Sequence, residues 1–289
     1  MTDASNSRLV ATPSGPVQVA DSGGDRTPVL FVHGTPGGCD QGALMGAFLV
    51  EAGFRVIAPS RPGYLGTPMS GEVQTPVAQA QLHADLMDVL GIDRFALACW
   101  SGGGASSYQL AADHPGRITA MVAIAAVSKP YTFSHPSEER ALFTRPGAWL
   151  MRQLATHSPR ATVKMLATEE GDLPKDEAKE LVAAIWDDEA KRAWVLAWLD
   201  TVIGDRKVGF ANDRVQLEEL ALDLAAVSAP VLLVHADTDA DVPFEHSEHA
   251  AEEVPDAELH RITNGTHISV WTGPDEDEAR ARIVTHLGG

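Results

Sequence analysis

Ser101 stands in the run Phe95-Ala-Leu-Ala-Cys-Trp-Ser-Gly-Gly-Gly104. A β-rich stretch that breaks at a serine into glycines and then leads into a helix is the pattern of a nucleophile on a sharp strand-to-helix turn, where Gly103 lets the two backbones approach. Two residues before the serine, where such turns usually carry glycine, stands Cys99. A serine hydroxyl attacks a carbonyl only when a base takes its proton, and the base needs a carboxylate to fix its tautomer. Candidates for both partners follow along the chain. Asp237, Asp239 and Asp241 lie in His235-Ala-Asp-Thr-Asp-Ala-Asp-Val-Pro243, and His267 ends Asn264-Gly-Thr-His267. The chemistry open to these residue types is acyl transfer through a serine ester. Its tetrahedral intermediate needs two backbone N–H donors, one of them from Gly102, the residue after the nucleophile. The second is expected from the loop His33-Gly-Thr-Pro-Gly-Gly38. Pro36 has no N–H, which leaves Thr35 or Gly37.

Strands must hold these loops in place. Strand-like runs recur at 8–12, 17–21, 29–33, 55–58, 95–99, 120–126, 231–235 and 258–262, with helix patterns between most of them, as in a parallel sheet covered on both faces. Thr75-Pro76 is a helix start, since Thr caps and Pro at the first position lacks only an N–H without a partner; Leu82, Leu86, Val89 and Leu90 then line one face until Gly91. From about 128 to 226 the strand signal disappears and helix patterns broken by Pro and Gly replace it. The expected organisation is a core over 1–127, a helical cap over 128–226 and the rest of the core over 227–289.

The order Ser, Asp, His, with each member at the end of an expected strand, resembles that of the α/β-hydrolase superfamily. Four stretches carry the resemblance across nearly the whole chain: 33–38, Arg61-Pro-Gly-Tyr64, the elbow at 99–103, and the Asp and His loops. They look like those of cap-bearing bacterial esterases, lactonases, perhydrolases and proline iminopeptidase-like enzymes. Epoxide hydrolases and haloalkane dehalogenases place an aspartate at the elbow, so Ser101 argues against both. The resemblance implies an α/β fold with a mostly parallel sheet of about eight strands flanked by helices, and a triad of Ser101, Asp239 and His267. It favours Thr35 beside Gly102 in the oxyanion hole. It further implies hydrolysis of a small to medium carboxylic ester or lactone without a cofactor. A peptidase or a perhydrolase would use the same triad, and Glu169, Glu170, Asp187 or Asp188 could then hold a substrate amine. A ligand-binding receptor-like protein is the non-enzymatic alternative.

A formal charge of −18 makes nucleic acid and anionic membrane surfaces poor partners, and a small-molecule substrate is expected instead. No apolar run approaches the ~20 residues of a membrane helix, and the N-terminal residues lack the pattern of a signal peptide, so the expected compartment is the cytoplasm. Asp237, Asp239, Asp241 and Glu248 mimic a calcium loop, but Val242 replaces its turn glycine and a strand precedes it, so no metal is expected. His33 is expected to be structural, with Arg61 and Tyr64 ordering the loop after the fourth strand. His246 and His249 are read as a solvated helix face. Trp149, Trp186, Trp194 and Trp198 read as core residues of the cap; Trp194 and Trp198, together with Trp100, are the candidates to face substrate.

Overall fold

The computed structural model describes residues 7–71, 74–133 and 143–288. Eight strands form one sheet: β1 (Arg8–Thr12), β2 (Gly15–Asp21), β3 (Pro28–Val32), β4 (Arg55–Pro59), β5 (Phe95–Trp100), β6 (Ile118–Ile124), β7 (Val231–Ala236) and β8 (Ala257–Ile262). Their spatial order is β1-β2-β4-β3-β5-β6-β7-β8. The β1–β2 hairpin packs antiparallel against β4, and from β4 to β8 every pairing is parallel.

The parallel strands are buried on both faces, and the period of two sorts their side chains between two cores. Ala96, Ala98 and Trp100 of β5 join Val29 and Phe31 of β3 on one face. Phe95, Leu97 and Cys99 join Leu30 and Val32 on the other. Helices Cys39–Met45, Ala47–Glu51 and Glu276–His286 contribute Met45, Phe48, Leu49, Ala279 and Ile283 to the first core, while Pro76–Val89, Gly104–Asp113 and Glu245–Glu253 cover the second. The helix at 76 begins as its sequence requires, with Oγ1 of Thr75 accepting from the Ala78 N–H at 3.2 Å and Pro at the first turn. Leu82 and Leu86 are buried, but Val89 in the last turn faces solvent.

Among the described residues, the chain between β6 and β7 contains no named strand. It forms helices Arg145–His157, Pro159–Glu169, Lys175–Asp187, Glu189–Val202 and Lys207–Glu218. Their buried residues Val163, Leu166, Val195, Trp198 and Leu199 belong to the same apolar cluster as Trp100 and Trp271, so the helical layer and that face of the sheet share one core. No helix among the described residues is long and apolar enough to cross a membrane.

The direction of winding changes at β3, which has β4 on one side and β5 on the other. A crevice opens beyond the carboxyl ends of strands at such a point. The loop at 33–38 leaves β3 there and Ser101 follows β5 there, with Val32 paired to Cys99.

Candidate active site

Ser101 has φ +54°, in the left-handed region that a residue with a Cβ enters only at a cost of about 1–3 kcal/mol. Its surroundings enforce that conformation. A Cβ on Gly103 would lie 2.5 Å from the His33 carbonyl oxygen and 2.7 Å from that of Val32, so glycine is required for the turn to close against β3. The Val127 N–H donates to the Ser101 carbonyl at 3.0 Å and ties the turn to the loop after β6. Cys99 does not open the turn. Its side chain is wholly buried on the face opposite Trp100, in the cluster that holds Tyr108 and Leu110 of the helix leaving the turn, and burial pushes its thiol up to about 12. Ser107 in that helix is small and donates to the Gly103 carbonyl at 2.8 Å, which leaves room for the cysteine.

Asp239 and His267 come together as the sequence led us to expect. Nδ1 of His267 lies 2.6 Å from Oδ2 of Asp239, with both side chains inaccessible to solvent. Oδ1 of the same carboxylate accepts from the Asp241 and Val242 N–H groups at 2.9 and 3.0 Å. Nε2 of His235 approaches Oδ2 at 3.1 Å. Burial alone would raise the Asp239 pKa, but the two histidines hold it down at about 2. Burial likewise opposes charge on His267, yet the carboxylates of Asp239, Asp241 and Glu170 outweigh it and push the imidazole up to about 9.

One expected contact is not made. Among the described residues Nε2 of His267 has no hydrogen-bond partner and does not bond to Ser101; instead Oδ2 of Asp241 lies 3.4 Å away from it. Asp241 is therefore not the carboxylate on Nδ1 but a second acid on the other edge of the ring. Asp237 is farther from the ring chemistry, since it pairs with Arg261 and accepts from the Asn264 N–H.

The helical segment is bonded directly to these loops. After helix Pro159–Glu169, the Glu170 carbonyl accepts from the His267 N–H at 2.8 Å, and the Asp172 N–H donates to Thr238 at 2.8 Å. Gly171 makes this approach possible, because a Cβ there would sit 3.1 Å from Cβ of Thr266. On the other side, Thr35 faces Gly102 so closely that a Cβ on Gly102 would lie 2.9 Å from that of Thr35. The Thr35 hydroxyl donates to Oδ2 of Asp213 at 2.6 Å, from helix Lys207–Glu218. The same carboxylate takes two bonds from Arg61 and one from the Tyr64 hydroxyl. His33 closes the network: Nε2 accepts the Arg61 N–H at 2.8 Å, so Nδ1 carries the proton and donates to the Gly34 carbonyl at 2.7 Å. Burial and the neighbouring Arg61 guanidinium hold the His33 pKa well below the usual value, in keeping with a neutral structural ring.

A cavity of about 560 Å³ lies against these loops. Thr35, Trp100, Trp198, Phe133 and Phe143 line it beside three acids, Glu169, Glu170 and Asp241. Trp100 lies against the His267 ring, with 4.7 Å between centroids and the planes tilted by 39°, and donates from Nε1 to the His267 carbonyl at 3.2 Å. Trp194 does not line the cavity; it stacks between Trp198 and Trp271, where a large flat ring fills the shared core. Trp149 is exposed, because its helix turns that face outward, and it ties nothing together among the described residues. His246 is buried and not solvated, with Nδ1 accepting from the Ser128 N–H at 3.2 Å. Sequence reasoning missed Asp213, whose partners lie about 150 positions earlier, and His235, whose position four residues before Asp239 at a strand end was the available signal.

A family model described as alpha/beta hydrolase fold matches residues 27–274. An uncharacterized hydrolase, YcgS, of Bacillus subtilis is 28% identical over 276 residues, 91% of this chain and 92% of the relative. A pimeloyl-[acyl-carrier protein] methyl ester esterase of Aromatoleum aromaticum is 27% identical over 264 residues, 87% and 95% of the two chains. Among solved structures, an alpha/beta hydrolase fold protein from Nakamurella multipartita superposes with a TM-score of 0.92 at 39% identity, covering 98% of this chain and all of that one.

Proposed function

The chain belongs to the α/β-hydrolase family, and we propose that within it this protein is a serine hydrolase that cleaves a small to medium carboxylic ester or lactone. The observation that carries the reading is the buried 2.6 Å pair between Asp239 and His267, set beside a serine held at φ +54°. In this reading Ser101 Oγ attacks the carbonyl carbon as Nε2 of His267 takes its proton. Asp239 keeps the remaining ring proton on Nδ1 and stabilises the imidazolium. The N–H groups of Gly102 and Thr35 receive the developing oxyanion, each worth roughly 3 kcal/mol in the transition state. Nε2 then protonates the leaving alcohol, and water repeats the sequence to free the acid and Ser101. Residues 128–226 act as the cap over the site, and Trp100 and Trp198 shape an apolar acyl pocket. No step calls for a cofactor. The ester-cleaving relative from Aromatoleum supports the ester class.

One observation favours a second reading. Glu169, Glu170 and Asp241 give the apolar cavity three acids, which would suit a substrate amine and peptidase-like cleavage. A panel of an aryl butyrate, a lactone and a prolyl anilide separates the two. Faster ester or lactone cleavage, lost in Ser101→Ala, is expected; faster anilide cleavage would overturn the ester assignment.

A further inference from the structure

We propose that Asp241 is a positioning residue that brackets His267 from the Nε2 edge, competes with Ser101 for the imidazole and so sets the pH at which the base becomes available. This rests on the serine hydrolase reading above. Three features carry it. The Asp241 carboxylate stands 3.4 Å from Nε2, while Asp239 holds Nδ1 at 2.6 Å, so the ring lies between two acids. Nε2 is buried and has no hydrogen-bond partner among the described residues, although a resting Ser101–His267 bond would satisfy it. Asp241 is itself held, because the Tyr131 hydroxyl donates to its Oδ1 at 3.0 Å and leaves Oδ2 directed toward the ring.

The groups that face the imidazole come from every element around it. Asp239 and Asp241 belong to the loop after β7, Glu170 to the turn after helix Pro159–Glu169, and Trp100 covers the ring. Behind them, His235 reaches Asp239, Tyr131 reaches Asp241, and Glu169 adds its charge near Glu170. The groups that act directly on the ring are thus acids; burial raises the pKa of Asp241 and pushes that of Glu170 up to about 8, and in their ionised forms they favour imidazolium. An imidazolium cannot take the proton of Ser101. Base catalysis begins only as Nε2 deprotonates and leaves Asp241 for the serine hydroxyl. An opposite charge within about 4–6 Å shifts a titrating group by about 1–3 units, so removing the Asp241 charge is expected to bring this onset down by that amount.

The test follows the rate of fluorophosphonate labelling of Ser101 from pH 5 to 10 in wild type and Asp241→Asn, with the ring shifts of His267 followed by NMR over the same range. Asparagine keeps the shape, and its Oδ1 still accepts from the Tyr131 hydroxyl. The expected result is that the acid limb of labelling and the His267 titration both move down by about 1–3 units, giving about tenfold faster labelling per unit at pH values below both midpoints. Labelling at Ser101 with both curves unmoved would overturn the proposal while leaving the hydrolase reading intact. Wild type that is folded but unlabelled at every pH would overturn the hydrolase reading, and this proposal with it.

Discussion

Arg61 and Asp213 form a two-point ion pair with almost no solvent access, Nη1 to Oδ1 at 2.9 Å and Nη2 to Oδ2 at 2.7 Å. The pair joins the loop after β4 to the helical segment between β6 and β7. Through the hydroxyl of Thr35, which shares the Asp213 carboxylate, it also fixes the loop that faces Gly102. The helical layer thus does more than cover the sheet; one of its carboxylates sets the position of a proposed oxyanion donor.

Asp213→Ala leaves the Arg61 guanidinium buried without its counter-ion. Breaking such a pair costs about 3–5 kcal/mol, to be read from the urea midpoint. Releasing Thr35 should also lower turnover in the folded fraction by up to about 10²–10³, the range for loss of one oxyanion donor. A variant with wild-type stability and turnover would show that the network is incidental.

Asp239→Asn keeps the volume of the side chain but can present its amide N–H₂ to the ring in place of an oxygen, reversing the tautomer. Turnover is expected to drop by about 10⁴ with little change in KM. If Asp237→Asn had that effect and Asp239→Asn did not, the acid would be misassigned.

His267 gives a signed pH dependence. Its pKa is raised from 6.5 to about 9 on folding, so the folded state binds the proton more tightly and the stabilising contribution is full below pH 6.5. That contribution is lost as pH rises toward 9. Wild type should therefore lose stability across this window, and His267→Gln should lack that component of the loss. Over the same interval kcat/KM for ester cleavage should rise as the base is freed. A kcat/KM plateau already reached at pH 6.5 would contradict the raised value.

The elbow separates two substitutions that look equally mild. Gly103→Ala places a Cβ against two backbone carbonyl oxygens, which cannot rotate away, and overpacking of this kind costs about 1–3 kcal/mol with loss of labelling at Ser101. Cys99→Gly removes a small buried side chain from β5 on the face that the helix Gly104–Asp113 covers. It should retain activity and cost about 1–2 kcal/mol, because glycine weakens a strand interior and a packed thiol is lost. Thermal unfolding and activity of the two variants together check the geometry of the turn.

The sheet was legible because burial on both faces of parallel strands writes continuous apolar runs, such as Val29–Val32 and Val231–Val234, and each ends in a loop rich in glycine or aspartate. The choice of Asp239 as the partner of His267 came from the family resemblance, since Asp237, Asp239 and Asp241 all follow the end of the same strand. What a single sequence could not supply was pairing across the helical segment. Nothing in Asn212-Asp213-Arg214 distinguishes Asp213 from an exposed helix acid until the fold brings Arg61 against it. Asp241 was named only as an alternative to Asp239; that it lies on the opposite edge of the ring depends on how the chain turns within two residues, and three alternating aspartates give no hint of that turn. Trp149 failed as a core assignment and Trp194 as a pocket assignment, although Trp194 does join the core, because size predicts burial while the rotation of a cap helix decides what a tryptophan faces.

The central claim is that Ser101 is an activated nucleophile, and the most direct test is the intact mass of wild type and Ser101→Ala after exposure to a serine-directed fluorophosphonate at pH 9, with both shown to be folded. A single adduct on wild type and none on Ser101→Ala is the predicted result. An adduct that persists in Ser101→Ala, or a folded wild type that takes none, would contradict it.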